Sequence, residues 1–562
     1  MKKKANGTYR ARLNARGYEQ VDGVHYDEHT KAAPVANEIV IRMTMVLIVM
    51  ASWWAELLDV QGAFLTGEMD QELDCYLKVP EGFEKFYPDN VVLRLLKTLY
   101  GLKQSAYVFW KSLVMAFRHM TFEQSQADPC LFFKWTAHGL VLWVTWVDDC
   151  LVCGKKEGVL AAKKQLMERF DCDEVGELKE YIGCKVDRGD GVMKLTQPVL
   201  LQSFEDEFDL PDAKPPNTPA VPGQVLRSGT ETSMLNDEMQ SKYRSGTGKL
   251  LHMMKWSRPD VRNSVRELSR FMTGATASHL KAMYRVMQYC LGTKERGLTL
   301  KPNCKWNGDP NFLFVLAGKS DSTYASDENA KSVTGYSTTL CGATISEKSK
   351  GQTATTLSVT ESELVAAVDC VQDLLFEKRV LESLGLKVET PMILQVDNKG
   401  VMDLANNWSV GGRTRHITVR TNFLRELKEQ GLLRVEWIPA DENSSDMFTK
   451  NLQGPLFEKH ASVYVSDMLS TDSQREGVGG RVSSHEQLVI ESHAEHGSGH
   501  KEKQGLGFGA RTGRKPKEKA HELRWNYNEG QDLDRKSIEG QDLDWKSVEG
   551  QEPERKPKEG YI

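Results

Sequence analysis

Two consecutive aspartates, Asp148 and Asp149, stand between apolar runs that call for burial, Val141–Val147 before them and Cys150–Cys153 after them. Short runs of large apolar residues read as buried strands, so the pair falls at the tip of a hairpin. Adjacent carboxylates beside buried strands are costly unless positive charge sits with them, and a divalent cation is the usual answer. The same pair, taken alone, is also what a solvated turn looks like. A metal site of this kind needs a further carboxylate from elsewhere in the chain. Asp59, at the end of the apolar segment in Leu58-Asp59-Val60-Gln61-Gly62-Ala63-Phe64, is the natural supplier.

The chain has 562 residues, enough for about two to four domains with proper cores. Its formal charge of −5 excludes a polycation, so any phosphate-binding surface has to be local. Ten cysteines, scattered from Cys75 to Cys370 without a regular framework, suit a reducing compartment. Cys150 and Cys153 are a lone pair within one strand, on opposite faces by alternation, and do not read as a zinc site. The stretch from Ile39 to Leu58 is the one membrane candidate. Arg42 and Glu56 interrupt it, and the clean run Met43–Ala55 is too short to span, so a buried helix is expected.

Composition divides the chain into residues 1–190, 191–305, 306–455 and 456–562. The first alternates strands with helices, among them an amphipathic helix at Val159–Arg169. A break follows at Pro211–Pro222, which holds five prolines. The second is mainly helical and restarts at Arg258-Pro259-Asp260. The third opens with a strand at Phe312–Ala317 and turns at Asp327–Ala330 and Cys341-Gly342. It continues with a long helix from Glu361 to Leu384 stopped by Gly385, and strands at Met392–Val396 and Leu432–Ile438. Its β-β-β-α-β-α-β-α order predicts a mixed sheet flanked by helices. The last segment is low in complexity: Glu529–Asp534 recurs at Glu539–Asp544 and decays at Glu549–Glu554. Such composition buries too little to offset chain entropy, so it is expected to be largely disordered. Its basic cluster Arg511–Lys519 reads as a solvated linker, with nucleic-acid binding or a nuclear address as the alternative.

In the third segment four acids stand at intervals of 42, 34 and 49 residues: Asp321, Glu363, Asp397 and Asp446. Asp321 is expected just after the opening strand and Glu363 in the first turns of the long helix. Asp397 ends a strand, and Asp446 begins the last helix. Strand ends and facing helix turns can bring such acids to one sheet edge, an arrangement suited to two-metal hydrolysis of a phosphodiester. Each alone is more often a cap or a surface charge.

An ordered series of motifs resembles the reverse transcriptase of copia-type LTR retrotransposon polyproteins. It comprises Arg10-Ala11-Arg12-Leu13, Ala15-Arg16-Gly17-Tyr18, Ala33-Pro34-Val35, Leu58–Phe64 with Gly67-Glu68, and Pro80-Glu81-Gly82-Phe83. Leu99–Ser105, Asp128–Phe132, Val147-Asp148-Asp149, Tyr243-Arg244-Ser245 and Ser257–Asp260 follow in family order. Ser320–Ser322, Thr360–Leu364, Val396–Asn398, Arg413–Ile417 and Ser445–Lys450 resemble the same family's RNase H. The resemblance implies an α+β architecture: a right-hand polymerase of fingers, palm and thumb with an antiparallel palm sheet, then an RNase H-like α/β domain and the tail. Residues 1–190 would be fingers and palm, 191–305 thumb or connection, and 306–455 the RNase H-like domain.

It implies RNA-directed DNA synthesis and removal of RNA from the hybrid, with Mg2+ or Mn2+, two ions per active site. Asp59, Asp148 and Asp149 would hold one pair, and Asp321, Glu363, Asp397 and Asp446 the other. Phe64 would stack under the incoming sugar and exclude a 2′-hydroxyl, and Tyr100 and Gly101 would line the nucleotide pocket. Arg10 and Arg12 would contact the triphosphate, or are simply exposed basic residues. Glu361 and Glu363 compete for one position; Leu364-Val365-Ala366 favours Glu363. His416 would assist substrate or product handling, or is a plain surface histidine. The implied partners are an RNA template, a DNA primer, RNA/DNA hybrid and dNTPs, with no membrane. An intracellular location is expected, cytoplasmic in virus-like particles or nuclear, and not secretion. Ser105-Ala106-Tyr107 departs from the family's Ser-Pro-Arg and removes a charge near the template–primer path. Trp146 replaces the usual Tyr before the aspartates. A silent relic that only binds nucleic acid, or a scaffold acting through its repeat tail, are the alternatives.

Overall fold

The computed structural model describes residues 13–69, 75–406 and 418–469, and two backbone strands at Lys2–Lys3 and Tyr9–Arg10. Arg12, His416 and the repeat segment lie outside these residues, as does the side chain of Arg10.

A six-stranded antiparallel sheet organises the first half. Its spatial order is Cys172–Glu177, Trp54–Val60, Asp149–Gly154, Gly139–Trp146, Leu131–Thr136 and Glu123–Gln124. Both faces are covered, which is why its central strands are apolar at nearly every position. Leu57, Leu151, Cys153 and Leu142 join one core, and Leu58, Cys150, Val152 and Trp143 the other. Cys150 and Cys153 thus face opposite ways, as alternation requires. The strand expected at Val141–Val147 runs Gly139–Trp146, and Val147 forms the turn.

The apolar stretch from Ile39 divides into two elements. A helix spans Glu38–Met50, capped by the Asn37 side chain, and every residue from Ile39 to Met50 is buried. Ser52, at φ 49°, reverses the chain into the strand Trp54–Val60. A helix apolar on all sides has to be enclosed by protein or lipid. Here it packs against strands Val192–Thr196 and Ala343–Gly351 and shares one core with the first sheet. Among the described residues no helix is long and apolar enough to cross a membrane. Arg42, on this helix, is buried with its guanidinium on Glu347 and on the Lys255 carbonyl; Arg262 reaches the same Glu347 at 2.8 Å. One carboxylate therefore ties three segments of the chain together.

A second sheet is built from Glu180–Tyr181, Cys184–Gly189, Val192–Thr196, Gly297–Leu300 and Val465–Ser466. Its hairpin crosses the limit drawn between residues 190 and 191. It also corrects the expected tail. The helix Gly454–Ala461 and the strand Val465–Ser466 are part of the folded body, with Phe457, Ala461 and Tyr464 buried, because Thr299 and Leu298 supply an edge for the chain to pair with.

Between these lies a helical region, Asp237–Trp256, Arg262–Ser269 and Ala277–Gly292, around its own core. At the expected restart, Arg258 and Asp260 form a buried ion pair at 2.8 Å, and Tyr289 donates to the same carboxylate at 2.7 Å. Burial works against the Asp260 charge, but Arg258 and Tyr289 hold its carboxyl below the usual range.

The third sheet is mixed, in the order Ala343–Gly351, Val333–Leu340, Leu316–Thr323, Met392–Val396, Leu433–Trp437, the last two parallel to Leu316–Thr323. The helix Val359–Ser383 packs across it and ends at Gly385, φ 77°. The architecture is thus mixed α and β with antiparallel sheets.

Candidate metal centres

The first acid cluster is placed by strand register. Trp146 and Asp149 are partners across the hairpin, leaving a two-residue turn of Val147 and Asp148. Val147 adopts φ 58°, where a β-branched residue is strained, and such turns persist only where the surroundings enforce them. The enforcement is visible: the Val60 amide donates to the Asp148 carbonyl at 3.3 Å, and Trp146 packs edge-on to Trp256 at 5.8 Å. The Trp that departs from the family pattern is therefore a strut between the hairpin and the helical region.

Asp59 is the direct partner of Asp149 on the adjacent strand. Like charges facing each other in this way destabilise a sheet. Burial, then Asp148 and Asp59, pushes the Asp149 carboxyl up to about 6. The sequence reading missed Asp173, which pairs with Asp59 on its other side and accepts from Gln61; the alternating acids of Asp171-Cys172-Asp173 were the available signal.

Phe64 sits in the short helix Ala63–Thr66, edge-on to Tyr100 at 5.2 Å and to Phe109 at 6.4 Å. Thr98 donates to the Phe64 carbonyl at 2.8 Å. Tyr100 accepts at its carbonyl from Ala15 at 2.7 Å, and a Cβ on Gly101 would lie 2.2 Å from the Ala15 oxygen. With φ 91° as well, Gly101 is required by this backbone crossing. Lys103 and Gln104 are likewise architectural: Gln104 donates to the His25 carbonyl at 2.9 Å, and the Lys103 amide to Gln20 at 2.7 Å. Tyr107 packs against Trp110 with the rings tilted, centroids 5.6 Å apart.

The second cluster is assembled by side chains from separate elements. Asp321 lies inside the strand Leu316–Thr323 rather than after it, Glu363 in the first turns of the long helix, and Asp397 just past Met392–Val396. Their carboxylate oxygens come within 4.8 Å of one another. Asp446 does not begin the last helix. It sits in a short 3-10 turn, Ser444–Phe448, fixed because the Asn443 side chain caps the Ser445 amide at 3.2 Å and donates to the Ser320 carbonyl at 2.9 Å. Glu361 accepts from the Leu357 amide at 2.6 Å, an N-terminal cap, and stands outside the three-acid group.

Electrostatics mark this cluster more strongly than the first. Asp321 is 1% exposed. Burial, then Asp446, drives its carboxyl well up, against Lys450 and a Thr449 hydrogen bond. Glu363 is likewise driven up by burial, then by Asp321 and Asp397. Lys450 lies 3.0 Å from Asp446 and 3.5 Å from Asp321. Buried, mutually repelling oxygen donors of this kind suit a hard divalent cation such as Mg2+ or Mn2+. Among the described residues, Asp321, Glu363 and Asp397 are the acids whose oxygens gather in this way; Asp59, Asp148 and Asp149 share the hairpin edge, half-buried, without forming such a group.

Residues 1–222 match the family described as reverse transcriptase (RNA-dependent DNA polymerase). The chain is 32% identical over 458 residues to the retrovirus-related Pol polyprotein from transposon TNT 1-94 of Nicotiana tabacum, over 80% of this chain and 33% of that one. It is 30% identical to that from transposon RE1 of Arabidopsis thaliana, over 81% of this chain and 30% of that one. Residues 1–222 thus carry a reverse-transcriptase domain, and the chain is similar to that part of the copia-type Pol polyproteins. It spans about a third of the length of the curated relatives it matches. Among solved structures, a foamy viral protease–reverse transcriptase in complex with RNA/DNA hybrid aligns over 80% of this chain and 49% of that one, with TM-score 0.42 and 10% identity. An RNase H1 in complex with RNA/DNA hybrid aligns over 24% of this chain and 92% of that one, with TM-score 0.19 and 16% identity.

Proposed function

We propose that this chain copies RNA, or DNA, into DNA and cleaves the RNA strand of the resulting hybrid, each at one acid cluster. The observation that carries the reading is the facing of Asp59 and Asp149 beside Asp148 at a hairpin tip, inside the family-matched region. These three would hold Mg2+ or Mn2+ for synthesis, and Asp321, Glu363, Asp397 and Asp446 would hold it for hydrolysis; the bound charge would activate the attacking oxygen and stabilise the leaving one. The chain's own part is placement. Phe64, held edge-on by Tyr100 and Phe109, would present a ring under the sugar of an incoming dNTP and leave no room for a 2′-hydroxyl. Arg10 and Arg12 would meet the triphosphate. The strand register fixes Asp59 against Asp149 before any substrate arrives, so little reorganisation accompanies binding. In the second cluster, Asn443, hydrogen-bonded to Asp397, and Thr449, which donates to Asp321, would orient the carboxylates around the scissile phosphate. Palm corresponds to the six-stranded sheet, and thumb to the helices of residues 237–292.

Primer extension on an RNA template with Mg2+ tests this, beside Asp148→Asn/Asp149→Asn. Extension by the wild type and none by the variant is expected. Binding of template–primer without extension by the wild type would mean that Tyr107, in place of an arginine, has left a binder only.

A further inference from the structure

Outside the three-acid group, the fourth carboxylate of the second cluster is already engaged. Asp446 is held by Lys450 at 3.0 Å, and the same ammonium reaches Asp321 at 3.5 Å. Asp321 thus belongs to the three-carboxylate group, whose oxygens lie within 4.8 Å of one another, and also faces a resident cation.

Resting on the hydrolytic reading above, we propose that Lys450 is a built-in counter-cation at the position of one of the two divalent ions, so that the second ion enters only as this ammonium leaves. Three features of the site support it. Lys450 follows Asp446 by one helical turn, and its amide donates to the Asp446 carbonyl at 3.0 Å, so its stem is rooted beside the acid it neutralises. Its side chain is 41% exposed while those of Asp321 and Asp446 are 2% and 10% exposed. The cation is therefore the movable member and the carboxylates the fixed ones; a lysine stem reaching water has rotamers to move into. Charge balance points the same way. Four carboxylates accommodate one ammonium and one divalent ion with negative charge to spare, but with two divalent ions the ammonium leaves the cluster positively overfilled. A second ion and Lys450 then repel across a short distance in a poorly screened place. An arginine here would be a poorer gate, since its fork holds carboxylates bidentately.

The test is a Mn2+ titration of the full chain followed by the electron paramagnetic resonance of free Mn2+, with Asp148→Asn/Asp149→Asn present throughout to silence the first cluster. The proposal expects one ion at unchanged affinity and a second ion bound at least tenfold more tightly in Lys450→Met. In Lys450→Arg the second ion binds no more tightly than with Lys450 in place. A second-ion affinity unchanged or lowered in Lys450→Met overturns it, for Lys450 then only props Asp446. An Asp397→Asn control separates the two levels: loss of the first ion in that variant upholds the metal site whatever Lys450 does. Mn2+ binding that ignores Asp397 overturns the hydrolytic reading and the gate together.

Discussion

The two acid clusters solve one electrostatic problem with different means. The first is made by backbone register, two strands of one sheet holding Asp59 against Asp149 with Asp148 in the turn. The second is made by side chains that reach inward from a strand, a helix, a strand end and a 3-10 turn. The first is half-exposed and relies on a strained turn at Val147; the second buries Asp321, Glu363 and Asp446, leaves Asp397 half-buried, and keeps a lysine among its acids. Depth sets the difference. Water screens carboxylates at a hairpin tip, whereas buried ones need either a proton or a cation.

The largest expected effect breaks the joint between the two regions. Glu347→Ala strands the buried guanidinium of Arg42 and loosens Arg262, and should cost about 3–5 kcal/mol in denaturant unfolding, as removal of one partner from a buried pair does. A loss under about 1 kcal/mol would mean that the helix Glu38–Met50 and the strand Ala343–Gly351 are held by apolar contact alone.

Next, neutralising one acid should stabilise the metal-free protein while abolishing the chemistry of that cluster. Glu363→Gln should gain on the order of 1–3 kcal/mol, and Asp149→Asn should gain less because water already screens it. Calorimetry in chelator reads both, and equal gains would erase the distinction drawn from depth.

Acidity sharpens the same contrast. A carboxyl raised on folding makes the folded state the better proton binder, so metal-free stability falls as pH rises from the ordinary carboxylate range. For Asp149 that loss ends at about 6; for the more deeply buried Asp321 and Glu363 it continues to higher pH. Melting curves across pH, with and without Mg2+, should show the stabilisation by metal growing through these windows. The smallest effect is at the turn: Val147→Gly relieves a strained φ against a gain in chain entropy, for a net stabilisation of about 1 kcal/mol.

These differences also explain what the sequence disclosed. The strand Met392–Val396 was legible in full, because a short apolar run between a proline and an aspartate admits little else. Asp148 and Asp149 were legible for the same reason. The break at Ser52 was not, since a left-handed serine carries no glycine or proline signal, and the helix and strand on either side read as one apolar run. Asp446 was placed on a helix because the turn that holds it depends on Asn443 reaching Ser320, a contact between residues distant in the chain. Strand Val465–Ser466 was assigned to the tail because its partner, Gly297–Leu300, is equally remote. The residues after Glu363 favour it over Glu361; in the structure Glu363 stands in the three-acid group and Glu361 accepts from the Leu357 amide, a contact no sequence pattern announces. Lys450 stood in a recognised motif yet drew no notice; only its 3.0 Å approach to Asp446 gives it a part.

Anomalous diffraction from crystals of the full chain grown with Mn2+ addresses the central claim most directly, that each cluster binds divalent metal. The account predicts manganese peaks between Asp59, Asp148 and Asp149 and between Asp321, Glu363 and Asp397. Ordered carboxylates at either place with no peak at saturating Mn2+ would contradict it.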